Sequence, residues 1–143
     1  MKFKYAKYKI SSNEAFPRQV SVIKPVIPVR ITYGEKSVTY DMLIDSGADY
    51  CLSHATLGEQ ALGLNVKSGK IVELGGIKEG KITAYFHDVI LEIGGAWKVE
   101  SYVGFSYDIE HMPVCLLCSY GFFDKFDVKL EFTREMIEIK LRN

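Results

Sequence analysis

Tyr40-Asp41-Met42-Leu43-Ile44-Asp45-Ser46-Gly47-Ala48-Asp49-Tyr50-Cys51 is the stretch on which the reading of this chain turns. An apolar run, Met42 to Ile44, ends abruptly in a carboxylate and small residues. An apolar approach lowers the local dielectric, which makes an ionised Asp45 costly. Ser46 supplies a hydroxyl donor, and Gly47 permits a tight turn and close approach of a second backbone. Asp-Ser-Gly is also a common plain turn between strands. Its context separates the two readings.

Working outward, period-two alternation dominates. Residues 28–33 set Val29, Ile31 and Tyr33 against Arg30 and Thr32, and Gly34-Glu35 makes a turn. A second strand is predicted over 37–44, rich in β-branched and aromatic side chains. A long strand is predicted over 81–93. Gly94-Gly95 then turns the chain, and Trp97, Val99 and Ser101 run back. Phe126, Val128, Leu130 and Phe132 alternate with charged residues, as do Ile137, Ile139 and Leu141 after a turn at 133–135. Helix signals are sparse. Ser53 is placed to cap a short helix over 54–62, and Gly63 to end it. Residues 120–126 predict one or two helical turns, and residues 11–17 a loop. The fold expected is all-β, a small closed or barrel-like structure with one or two short helices. The whole chain, 1–143, reads as a single domain, with 1–24 as an N-terminal strand and loop extension.

Composition narrows the function. The chain has 18 basic and 18 acidic side chains, 48% hydrophobic residues and three cysteines. Such a balance excludes a disordered chain or a basic coat for nucleic acid. Lys2, Lys4, Lys7 and Lys9 are the one basic cluster, and their spacing suits the solvated face of a strand. No apolar run reaches the ~20 residues of a membrane helix. Lys2 and Lys4 interrupt the position of a signal peptide's apolar stretch. An odd, small cysteine count argues against a disulfide scaffold. A cytoplasmic protein without membrane or nucleic-acid partners is expected. Zero net charge leaves no electrostatic barrier to self-association.

The order of motifs resembles the retropepsin-like aspartic proteases, particularly the free-standing bacterial type. Val26-Ile27-Pro28-Val29 is similar to that family's entry strand. Met42 to Asp49 is similar to its catalytic loop, an apolar strand followed by Asp-Ser/Thr-Gly-Ala-Asp. Leu74-Gly75-Gly76-Ile77-Lys78-Glu79-Gly80 stands where the family has its glycine-rich flap. Val114-Cys115-Leu116-Leu117 resembles the strand that passes the catalytic loop, and Gly121-Phe122-Phe123 the short helix after it.

The resemblance implies an aspartic endopeptidase without cofactor or metal, acting on a peptide or protein substrate. In such an enzyme two aspartates hold a water and share one proton, because two like charges about 3 Å apart cannot both ionise. This chain has one Asp-Ser-Gly, so the resemblance implies a homodimer with Asp45 from each subunit on a two-fold axis. Catalytic roles then fall on Asp45, Ser46 and Gly47. Ser46 braces the opposite loop, and Gly47 offers backbone to substrate. Substrate binding falls on Ala48, Asp49, Gly75, Gly76, Ile77 and Leu116. The chain termini, including the Ile137, Ile139 and Leu141 stripe, interleave in a dimer sheet in this family. An ordinary half-buried strand within one subunit explains the stripe equally well. A competing reading keeps fold and dimer but binds peptides without cutting them.

One position departs from the pattern. The family reads apolar-apolar-Gly where this chain has Leu116-Leu117-Cys118. A cysteine disfavours positive φ, so either the loop shifts or the neighbourhood relaxes around the thiol. Cys115-Leu116-Leu117-Cys118 also has the spacing of a zinc half-site. Residues three apart on a strand face opposite ways, however, so a shared metal is not expected.

Overall fold

The structure, a computed structural model, describes residues 1–75 and 80–143. Twelve strands and one α-helix are found among them: β1 (Lys2–Lys4), β2 (Ala6–Lys9), β3 (Ser21–Lys24), β4 (Val26–Tyr33), β5 (Lys36–Ile44), β6 (Leu52–His54), α1 (Ala55–Leu62), β7 (Lys70–Gly75), β8 (Lys81–Ile93), β9 (Trp97–Ser106), β10 (Cys115–Leu117), β11 (Phe126–Glu131) and β12 (Met136–Leu141). The chain is mostly β, as its alternation predicts. Among the described residues no helix is long and apolar enough to cross a membrane.

Seven strands form the main sheet, in the order β4-β5-β10-β6-β9-β8-β7. β8 carries more than its share. Its first half pairs with β7, from Lys81 opposite Gly75 to Phe86 opposite Lys70. Its last four residues pair with β4, Ile90 to Ile93 opposite Thr32 to Val29. β4 therefore has two neighbours, β5 and β8. The β8–β9 turn is Gly94-Gly95, with φ of 61° and 69°. Ala96 N–H donates to Ile93 O at 3.2 Å, so Gly94 and Gly95 are the central residues of a turn with positive φ at both, which glycine adopts without strain.

The core follows the period of two. Ile27, Val29 and Ile31 of β4, Leu91 and Ile93 of β8, and Val103 and Phe105 of β9 are buried together. Helix α1 lies against this layer. It begins one residue later than its pattern predicts: His54, not Ser53, takes the N-cap position, without a side-chain cap bond. Ser53 is drawn instead into β6, opposite Phe105 of β9. Gly63 ends the helix in the left-handed conformation, as predicted.

One further expectation changes. Residues 120–126 form turns rather than helix, with one helical bond, Phe126 N–H to Phe122 O at 3.0 Å. The residue 1–24 extension makes strands in two different sheets. β1 joins β12 and β11, whereas β2 pairs with β3. The four lysines still lie on exposed faces of β1 and β2. Ile137 and Ile139 are fully buried in the chain's own core. Their strand pairs with β1 of the same chain, Phe3 opposite Ile137. Ile137 and Ile139 of the predicted stripe are thus covered within one subunit, whereas Leu141 stays exposed.

Gly58 of α1 sits so close to β9 that a Cβ there would meet Phe105 Cδ1 at 2.7 Å. Alanine gains about 1 kcal/mol in helix propensity, but overpacking costs about 1–3 kcal/mol. Gly58→Ala is expected to lower the urea-unfolding free energy by about 1 kcal/mol. A stabilised variant would show that the helix moves off the sheet freely.

Candidate active site

The apolar strand β5 delivers Asp45 to a turn held from both sides. Ile44 N–H donates to Pro25 O at 2.9 Å, and Asp45 N–H donates to Leu117 O at 2.9 Å. The second bond continues the parallel pairing of β5 with β10, in which Leu117 faces Ile44. Beyond the turn, Ser119 N–H donates to Ala48 O at 3.0 Å and Tyr120 N–H to Asp49 O at 2.9 Å. The loop 45–50 is therefore laced along its length to residues 117–120, which lie far away in sequence.

Within the loop the carboxylate is oriented by its own backbone. Gly47 N–H donates to Asp45 Oδ1 at 3.0 Å, the geometry of an Asx turn. Among the described residues Oδ2 has no donor. Asp45 is half-buried, Ala48 likewise, while Ser46, Gly47 and Asp49 are exposed. The loop thus presents an oriented carboxylate to the outside, braced by apolar strand behind and main chain beside it. Ser46 makes no hydrogen bond and Asp49 no ion pair within the chain, among the described residues.

Leu116 links the site to the core. It is half-buried and packs against both apolar clusters. The smaller cluster contains Leu52, Ala84, Phe86 and Ile109, with Leu74 of β7 and Ile82 of β8 against it. Gly75 is the last residue of β7, with open space where a Cβ would stand. Gly76 and Ile77 lie outside the described residues. The structure thus brings Asp45, Ser46, Gly47, Ala48, Asp49 and Leu116 into one region, with Leu74 of the Gly75 strand packed on the same small cluster as Leu116.

Two aromatic residues at the loop escape the motif reading. Tyr50 and Tyr120 form a parallel bridge and are 39% and 57% exposed. Tyr50 stacks edge-on against Phe86, with centroids 5.6 Å apart. Their signal in the sequence is slight: a tyrosine directly after Asp-Ser-Gly-Ala-Asp, and another after Leu-Leu-Cys-Ser.

The departure at Cys118 resolves in favour of local relaxation. Among the described residues Glu135 is the one non-glycine with positive φ, so Cys118 adopts an ordinary backbone conformation. Its side chain is fully buried, and its N–H donates to Cys51 Sγ at 3.1 Å. Asp45 keeps its bond to Leu117 beside it. Cys115 faces elsewhere, with its Sγ 3.4 Å from Ser53 Oγ and 3.9 Å from His54 Nδ1. Tyr40 Oη, raised in pKa by burial, lies 2.9 Å from the same His54 nitrogen. The two thiols of the Cys-x-x-Cys therefore have different neighbours, as strand geometry predicts.

No protein-family model and no curated protein matches the chain. Among solved structures it is similar to EIAV protease complexed with the inhibitor HBY-793. That likeness has 17% identity, a TM-score of 0.49, and covers 67% of this chain and 82% of that one.

Burial raises the Cys115 thiol above its ordinary value of 9.0. The folded chain then holds a proton that the unfolded chain releases. This group's contribution to stability is complete below pH 9.0 and is lost as pH rises toward the folded value. The urea midpoint is expected to fall above pH 9.0, and Cys115→Ala to flatten that fall. Equal slopes in the two proteins would show that other groups set the alkaline limit.

Proposed function

We propose that the chain is an aspartic endopeptidase, working as a homodimer in which each subunit contributes Asp45. The observation that carries this reading is the loop 45–50: a strand-end carboxylate, oriented by Gly47 N–H and held to Leu117, with one oxygen free of intrachain donors. One chain has a single Asp-Ser-Gly, which supports a site completed by a second copy. The pairing of β4 with both β5 and β8 supports a barrel-like retropepsin frame.

In this mechanism the two Asp45 carboxylates hold one water between them and share one proton. The ionised carboxylate takes a proton from the water as its oxygen attacks the scissile carbonyl. The protonated one hydrogen-bonds the carbonyl oxygen as it gains charge. Collapse of the tetrahedral intermediate breaks the C–N bond, and the leaving nitrogen takes a proton from the dyad. Ser46 braces the partner loop through its hydroxyl. Gly47 and Asp49 meet the extended peptide backbone, which adds as a strand. Ala48 and Leu116 offer apolar contact to its side chains. The β7–β8 pair, with Gly75, Gly76 and Ile77, serves as the flap that closes over it.

Cleavage of a broad peptide library is expected to follow a bell-shaped pH profile, since activity needs one carboxylate of the pair protonated and one ionised. Asp45→Asn should lower the rate at least about a thousandfold while leaving the thermal midpoint unchanged. Sedimentation should report a dimer under the conditions of cleavage. A stable dimer that binds peptides and cuts none between pH 3 and 8 would replace the enzyme with a peptide-binding module.

A further inference from the structure

The peptidase reading leaves Cys51 and Cys118 unused. Both are fully buried, and they lie 67 residues apart in sequence. Cys51 Sγ accepts the N–H of Cys118 at 3.1 Å and sits 3.9 Å from its carbonyl oxygen. The sulfur of Cys51 is thus already within a side chain's reach of Cys118. The neighbouring main-chain bonds, Ser119 to Ala48 and Tyr120 to Asp49, hold the two chain passes at fixed spacing.

We propose that Cys51 and Cys118 form a redox pair that closes into an intramolecular disulfide and locks the loop carrying Asp45. Their surroundings divide the roles. A hydrogen bond from the Cys118 thiol lowers the pKa of Cys51, and the same bond, with burial, raises that of Cys118. Cys51 is therefore the attacking thiolate and Cys118 the resolving thiol. The oxidant is a hydroperoxide, a small molecule whose approach is beside exposed Asp49 and Tyr50. Cys51 thiolate attacks the O–O bond, and hydroxide leaves, giving a sulfenic acid. Cys118 sulfur then attacks the Cys51 sulfur, breaking its S–O bond. The thiol's proton leaves with the hydroxyl as water. Overall, two thiols and one hydrogen peroxide give one disulfide and two waters.

The bridge closes covalently what the Asp45–Leu117 hydrogen bond closes weakly, because Cys118 directly follows Leu117. Cys115 provides an internal control. It faces Ser53 and His54, so it takes no part.

The test treats the reduced full chain with hydrogen peroxide, blocks remaining thiols with an alkylating agent, and maps peptides without reduction. Expected is the loss of two of the three thiols and a crosslinked Cys51–Cys118 peptide. The thermal midpoint should rise by about 5–10 °C, and dithiothreitol should reverse both changes. Cys115→Ala should behave identically, which keeps the test valid if Cys118→Ala fails to fold. A bridge involving Cys115, a bridge between chains, or three thiols still reduced in the folded protein would overturn the proposal. These readouts do not depend on peptide cleavage, so their failure and that of the peptidase reading are separable.

Discussion

Three residues, Cys115 to Leu117, pair parallel with β5, and the middle one, Leu116, also pairs antiparallel with Leu52 of β6. Without this short strand, β5 and β6 would each present unpaired backbone groups to the sheet interior, where an unmade hydrogen bond is expensive. β10 therefore joins two parts of the main sheet. It does more through its individual atoms. Leu117 O fixes Asp45 N–H, Leu116 spans two apolar clusters, and the backbone just beyond holds Ala48 and Asp49. The carboxylate's position is thus set largely by a strand remote from it in sequence, with its own loop adding the Gly47 N–H bond to Oδ1 and a longer Ala48 N–H bond to Asp45 O.

Much of this was legible in the residues. β4, β8, β9, β11 and β12 announce themselves by alternation, which a one-residue slip would invert, and β5 by its β-branched and aromatic content. Gly94-Gly95 and Gly63 mark their turns through the φ values that glycine alone adopts easily. The carboxylate stood out because an apolar strand rarely ends on one. What stayed hidden was partner choice. β1 and β2 are three and four residues long, too short for a period to say which sheet each joins. Ser53 has the chemistry of a cap, yet strand pairing with Phe105 outweighs it. Tyr50 and Tyr120 meet through tertiary pairing across 70 residues, which local pattern does not encode.

Cys118 shows why a departure from a motif has to be judged in space. A glycine's role in a tight passage is to leave room. Here the room is filled by the buried Cys118 side chain beside Cys51, whose sulfur accepts the Cys118 N–H, and the loop keeps its anchor. The same economy appears at the other end of the fold. Ile137 and Ile139 are covered by Phe3's strand and the chain's own core. Leu130, Phe132 and Leu141 remain the exposed apolar side chains of that part.

The parallel register of Met42 with Cys115 has a consequence in time as well as in space. Parallel neighbours need a long crossover, and closing so large a loop is slow because its entropy must be spent before the contact forms. On a growing chain Asp45 emerges about seventy residues before the strand that anchors it. Until that strand arrives the Asp45 N–H lacks its Leu117 partner. The long-range anchor of the Asp45 loop is therefore completed only after the chain has closed that crossover.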